Sequence, residues 1–476
     1  MRKLKLQDYI ILITSIASFF VAFISSAPAV ALPQLAAEFS LNNIMQNWVI
    51  NIFLFTVAIV AVPFGKFSGM YGIKKSYNIG LILFLIGSIL SAIAFSTESL
   101  LVFRAFQGIA AAILYNTVTS LVSVAVPEQI RGKALGIMVS AVYIGLAVAP
   151  FIGGILTDYL GWRAIFYFSI PFILITLLIS LTKVKDEWSM YKNETFDIKG
   201  SILYGVSIFL LVYGFTIINE PNGLILAIIG AILLIAFIYL ELKVKYPVFN
   251  VRVFKNTTFL SSNLASIISY IATFLVTYVL NYHFQYILGY NETLTGVLLL
   301  VTPLLMAIAS PISGNLSDKI NPQKLAAIGM AFVTLALFIL IFLNAETPLY
   351  VIIVAMVLQG IGFGIFASPN TNLVMSTVEP KETPTASVTI TVMRVVGQTL
   401  SLAMLTVIFA IIMGNVAFVP ENFPQLIESS STACIISTIL CAIAILASLW
   451  GLKSKNINYI LFLLFFFFYN VKNLFI

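Results

Sequence analysis

The sequence predicts an all-α polytopic membrane protein: fourteen spanning helices, arranged as two six-helix repeats with two further helices inserted between them. Three observations predict it. Only 9% of the 476 residues are charged, against about 25% in a soluble globular domain. Apolar types make up 61%, enough for about fourteen stretches of the roughly 20 residues that cross a bilayer core. The connections between those stretches alternate in charge along the whole chain. This composition excludes a soluble enzyme, a nucleic-acid-binding domain and a disordered chain. The net charge of +7 reflects Lys and Arg gathered in one set of loops, so no nucleic acid is implied.

The apolar runs lie near residues 9–32, 44–64, 76–96, 98–124, 133–157, 162–182, 200–218, 224–240, 257–288, 293–313, 324–343, 347–372, 385–413 and 431–450. The first follows Arg2, Lys3 and Lys5 but is too long for the core of a signal peptide, and no soluble domain follows it, so it reads as a span. All are expected to be helices, because lipid cannot satisfy free backbone groups and no barrel-like alternation is visible. Alternate connections hold Lys66, Lys74 and Lys75; Arg131 and Lys133; Lys183, Lys185, Lys192 and Lys199; Lys243, Lys245, Arg252 and Lys255; Lys319 and Lys324; and Lys381. Arg2, Lys3, Lys5, Lys453 and Lys455 fall on the same side. The other connections hold Arg163 as their one basic residue, with Glu38, Glu98, Asp158, Glu220, Glu292, Glu346, Glu421 and Glu428. One helix more or fewer would scramble this pattern. Both termini are therefore expected on the cytoplasmic side of a multi-pass protein of the cell membrane. Cys434 and Cys441 are seven apart on one helix, about 10 Å, too far for a disulfide.

Gln107-Gly108-Ile109 in span 4 is repeated as Gln359-Gly360-Ile361 in span 12, an offset of 252 that also aligns Gly145 with Gly397. Pro63 to Gly69 likewise resembles Pro311 to Asp318. Spans 1–6 therefore repeat as spans 9–14, and repeated halves rocking about a midplane site are the architecture of secondary transporters. The expected organisation is a first half at 1–185, linkers and inserted spans 7 and 8 at 186–256, a second half at 257–452, and an apolar tail at 453–476.

Four motifs carry a family resemblance: Gly65 to Lys75 between spans 2 and 3, Arg104 to Ala110 in span 4, Gly145 to Gly154 in span 5, and Gly161-Trp162-Arg163-Ala164-Ile165-Phe166 after it. The chain resembles a major facilitator superfamily transporter of the fourteen-span drug:proton antiporter type. The resemblance covers residues 1 to about 452 and implies a major facilitator fold that exports small amphiphiles by alternating access. It implies proton coupling, no cofactor and no metal, a small-molecule substrate, and a monomer in the bilayer. It also implies that Arg104, with Gln107 on the same helical face, serves proton transfer or cavity electrostatics. The plain alternative is an Arg snorkelling to external water. An intramembrane Arg costs at least about 2.5–3.5 kcal/mol, and its repeat counterpart is Met356.

Gly145, Ala149 and Gly153 form a stripe of small residues with Pro150 inside it and Gly154 beside it. Such stripes let helices approach closely, and the resemblance implies a tight seam between the halves. Gly65 and Gly72 fit a short turn, and Lys74 and Lys75 are placed to pair with acids or helix ends when an inner gate closes. The motif's usual Asp is Gly69 here, so its charge pair with the second half is expected to be missing; Asp318 is kept in the matching loop. The family's span 1 Asp is also missing. Its position falls at about Ile24, ahead of Ala31-Leu32-Pro33, and no Asp or Glu lies deep in any span. Asp158, Glu38 and His283 remain as titratable candidates, each with an ordinary structural reading.

Arg394, near the middle of span 13, has Val142 as its repeat counterpart. Two unpaired arginines in an acid-free interior predict a cavity suited to anionic or neutral amphiphiles. Tyr270, Phe274, Tyr278, Tyr282 and Tyr286 recur every four residues along span 9. Facing a cavity, this stripe would stack on flat substrates; facing lipid or a helix, it is packing. Asn281, Gln285 and Gln359 are further candidates to line the cavity. Other membrane classes fit worse. An intramembrane enzyme needs clustered acids or His, and a proton-pumping arm needs a buried Lys and Glu chain. ATP-driven transport needs a phosphate-binding loop, which is absent. Two alternatives remain: a transporter of a neutral or anionic metabolite with no or different ion coupling, and a nontransporting sensor on this scaffold.

Overall fold

The computed structural model describes residues 5–40, 43–192, 194–218, 222–414 and 420–450. The apolar tail at 453–476 lies outside the described residues. Fourteen helices are long and apolar enough to cross a membrane: Leu6–Ala29, Trp48–Tyr71, Ile73–Ala92, Thr97–Ala125, Glu128–Leu160, Arg163–Lys183, Ile198–Phe215, Gly223–Glu241, Thr257–Ile287, Leu294–Ser317, Pro322–Leu340, Leu349–Ser376, Pro380–Ile412 and Phe423–Leu449. They are numbered spans 1 to 14 in chain order, and each falls on an apolar run of the sequence. No strand occurs among the described residues.

The spans differ in how much side chain they hide. Span 4 buries 83% of its most apolar stretch, whereas the uniformly apolar span 8 buries 22%. Span 4 is therefore central and span 8 peripheral. Polar side chains close the helix ends. Ser96 Oγ accepts from Ser99 N at span 4. Asp197 does the same for Gly200 N at span 7, and Asn256 for Thr258 N and Phe259 N at span 9. Each cap answers backbone donors that a helix start leaves free.

Beside one small cluster around Phe259, two large buried apolar cores result. One gathers side chains of spans 1–6, with Tyr204, Ile208, Val212 and Phe237 of spans 7 and 8 joined to it. The other gathers spans 9–14. The inserted pair is tied to the first core by Tyr204, whose hydroxyl donates to Ala58 O at 2.9 Å.

Span 9 is broken. Helix Thr257–Thr273 gives way to Val276–Tyr282 and then to a wide π turn at His283–Ile287. Where the ladder opens, Leu275 N donates to Ser401 Oγ of span 13 at 2.9 Å. Opened backbone inside a membrane protein needs such a partner.

Candidate functional site

Span 4 brings Arg104 and Gln107 onto one face, three residues apart. Arg104 is fully buried, so it does not snorkel to water. Its Nε donates to Val49 O at 3.2 Å. One terminal nitrogen donates to Gln107 Oε1 at 2.8 Å and to Ile24 O at 3.3 Å. The guanidinium lies over the Phe53 ring at 4.8 Å, and its other terminal nitrogen has no acceptor. Gln107 passes the network on to Ser88 Oγ at 2.9 Å. Arg104 thus ties span 4 to spans 1 and 2 through backbone carbonyls. At Ile24, where the resemblance leads one to expect an Asp, it meets a main-chain oxygen.

Between the two cores lies a cavity of about 70 Å³ lined by Tyr115, Tyr143, Tyr270, Arg394 and Gln398, among others. Val142, the repeat counterpart of Arg394, lines it too. The Arg394 guanidinium sits 4.1 Å from the centre of the Tyr115 ring, a cation–π contact. No ion pair reaches it among the described residues. A second cavity of about 300 Å³ lies beyond Gln398, which lines both. Its walls come from spans 2, 7, 9 and 13 and include Trp48, Phe55, Phe215 and Phe409. Phe274, Tyr278 and Tyr282 line this second space. The span 9 stripe therefore faces cavities from Tyr270 to Tyr282. Among the described residues, neither cavity is lined by an Asp or Glu.

Asn281 and Gln285 line neither cavity; Gln285 Nε2 donates to Asn281 Oδ1 at 3.0 Å. Gln359 is buried and directs its amide to Thr273 O at 3.5 Å, joining spans 12 and 9. His283 is buried in the π turn, with Nε2 unpartnered. Glu38 is bound by Arg163 at 2.7 Å and by Trp162 Nε1 at 2.7 Å. The Arg163 hydrogen bond is the main cause that holds its carboxyl below the ordinary value. Asp158 is exposed.

At the face carrying the basic loops, the halves are shut. Ser120 Oγ and Ser387 Oγ, of spans 4 and 13, are 2.7 Å apart. Asp318 accepts from Gly132 N at 2.8 Å and Lys133 N at 3.0 Å. A β-carbon on Gly132 or Gly314 would collide with the facing helix, so only glycine lets spans 5 and 10 meet there. Gly65 leaves no room for a side chain beside Val388 of span 13.

The missing acid at Gly69 is answered from elsewhere. Glu194, in the connection after span 6, binds Lys66 at 2.5 Å and Lys381 of the second half at 2.8 Å. Burial pushes the Glu194 carboxyl up, but hydrogen bonds from Lys381 and Lys66 outweigh it and hold the group below the ordinary value. The pair expected at the motif Asp is absent with Gly69, and a charge link to the second half is made by Glu194 instead. Lys74 and Lys75 make no ion pair among the described residues. Their backbone amides, following the positive φ of Gly72, donate to Glu187 at 3.0 Å each.

The small-residue stripe of span 5 also differs from expectation. Gly145 packs on Phe19 and Ala22, and Gly153 on Ala27 and Val30. Both contacts lie against span 1, within the first half. Ala149 is buried and Pro150 exposed. Gly154 has open space where a β-carbon would stand. The contact between halves falls earlier along span 5, at Gly132, Gly136 and Ser140. Spacing defines a stripe but not the helix that it meets.

The sequence profile described as Major Facilitator Superfamily matches residues 14–402 and again 262–458. The chain belongs to this superfamily. It is a multi-pass membrane transporter and not an enzyme. It is 29% identical over 379 residues to the Riboflavin transporter RibZ of Clostridioides difficile, covering 79% of this chain and 82% of that protein. It is 28% identical to the Multidrug resistance protein Stp of Mycobacterium tuberculosis over 80% of this chain and 72% of that protein. The Tetracenomycin C resistance and export protein of Streptomyces glaucescens is 23% identical over 85% of this chain and 76% of that protein. Among solved structures, the human organic anion transporter MFSD10 superposes with a TM-score of 0.68 at 11% identity, covering 93% of this chain and 99% of that one.

Proposed function

We propose that the protein exports small, flat amphiphiles, neutral or anionic, across the cell membrane by alternating access. The observation that carries this reading is Arg394: a cation with no acid beside it, stacked on Tyr115 in a cavity that Tyr143 and Tyr270 also line. Such a site favours planar π systems and negative charge and repels a second cation. The closed basic face is the cytoplasmic gate, and the larger aromatic cavity is the vestibule toward the outside. Relatives named for riboflavin transport and for tetracenomycin export support flat polycyclic cargo. Proton influx drives the cycle, with the monomer as the working unit.

The test uses proteoliposomes with an imposed pH gradient. The probes are riboflavin, an anionic xanthene dye and ethidium, each with wild type and Arg394→Gln. Wild type is expected to move the first two opposite to the direction of proton flow and to leave ethidium. Arg394→Gln should lower kcat/KM for the anion by at least about tenfold, the worth of one desolvated contact to a cation. Robust wild-type transport of ethidium overturns the charge preference, and transport that ignores the gradient overturns the coupling.

A further inference from the structure

The membrane interior lacks an acid, yet a half-buried Asp197 and a buried Glu241 sit together at the joint of the inserted helices. Asp197 caps span 7, its Oδ1 accepting from Gly200 N at 2.9 Å. Glu241 ends span 8. It is 1% exposed, and its Oε2 accepts from Phe249 N at 2.8 Å. The other two oxygens, Asp197 Oδ2 and Glu241 Oε1, are both buried and have no hydrogen-bond partner. They also crowd one point: a β-carbon on Gly200 would collide with both. Gly200 thus leaves the space in which the two carboxyl groups meet.

No cation neutralises them. Among the described residues no ion pair reaches either acid. The basic groups nearby are turned elsewhere. Lys199 is exposed. Lys243 Nζ donates to Tyr239 OH. Lys245 lies over the Tyr246 ring, and Arg252 donates to Leu242 O. Two carboxylate oxygens turned to one point, one of them on a buried side chain and neither paired with a cation, repel when both are ionised, and a shared proton turns that repulsion into a short O–H···O⁻ bond.

We propose that Asp197 and Glu241 form a proton-binding site that holds one proton between them at neutral pH. The site is wired to the gate. Glu241 fixes Phe249, and the next residue, Asn250, donates through Nδ2 to Glu382 Oε1 at 2.9 Å. Glu382 Oε2 accepts from Tyr191 OH at 3.3 Å and from Thr385 Oγ1 at 3.0 Å. Thr385 lies in the first turn of the helix Thr383–Ile412, which carries Ser387 and Arg394. Losing the proton leaves two like charges at one point and pulls on the strap that ends at span 13. This deepens the coupling part of the proposed function. The proton site itself stands independently of the cargo.

Infrared difference spectroscopy on the full chain in nanodiscs tests it. Wild type is expected to show a protonated-carboxyl stretch at neutral pH that fades as pH rises. Glu241→Gln and Asp197→Asn should both lack it. Glu241→Gln keeps an acceptor for Phe249 N and imitates the proton-loaded state, so its thermal melt should match wild type at neutral pH. Absence of the band in wild type, or its persistence in both variants, overturns the site. So does a melt that rises with sodium over choline in wild type but not in Glu241→Gln, which marks a bridging cation instead. Gradient-driven transport is measured beside it. A band that is present while Glu241→Gln still follows the gradient keeps the proton site and removes its link to coupling. Ethidium transport touches only the cargo reading.

Discussion

A buried arginine without a carboxylate is expensive, and Arg104 offsets the cost with carbonyls, an amide and a ring. Arg104→Ala removes hydrogen bonds to a charged group, each worth about 1.5–3 kcal/mol, and should lower the melting temperature in nanodiscs. Arg104→Lys should not restore it, because one ammonium cannot reach Val49, Ile24 and Gln107 as a fork does. Arg104 and Gln107 were legible in the sequence, since polar residues in an apolar run stand out. Glu194 was not: it lies in a charged connection where an acid looks ordinary, and its partner Lys66 is 128 residues away. Its titration makes a second prediction. The folded carboxyl lies below the unfolded value of about 4.3. Its contribution is therefore complete above that value and is lost only as pH falls through the lower, folded one. Glu194→Gln should destabilise by about 1.5–3 kcal/mol at pH 7. That difference should hold from pH 8 to pH 5 and vanish in strong acid, as thermal melts across pH would show. This lock does not sense physiological pH.

At the scale of helices, the seams between spans decide what can move. Spans 5 and 10 meet through Gly132 and Gly314, and a side chain on either must push the two apart. Gly132→Val should hold the basic face open. A cysteine at Ser120 should then react with a membrane-impermeant thiol reagent at that face, at a rate well above that in the Gly132 parent. Gly154→Val should leave both transport and labelling unchanged, because nothing stands near it. The fourteen helices were readable because each needs its own apolar run and the loop charges count them. The partner of each glycine stripe was not, because a helix presents small residues on several faces and periodicity carries no address. The break in span 9 was also invisible: it depends on Ser401, which the sequence places 126 residues away.

For the whole molecule, the proposed alternating access requires the two cores to separate at the basic face. Ser120 and Ser387 face each other there, their hydroxyls 2.7 Å apart, close enough for paired cysteines to form a disulfide. The Ser120→Cys, Ser387→Cys double variant should lose transport on oxidation and regain it with reductant, measured in the same vesicles. Transport that survives complete oxidation would show that the halves need not part at this point. The repeat and the acid-free interior were both legible in the sequence at this scale. The position of the inserted pair was not, because nothing in its apolar composition says which core it joins. That position has a consequence of its own. Span 7 lends Val212 and Phe215 to the wall of the larger cavity, where it packs beside spans 2 and 13. The inserted helix thus works as a gasket on this flank, closing the aromatic-lined space with its own apolar side chains where the two six-helix halves do not supply the wall.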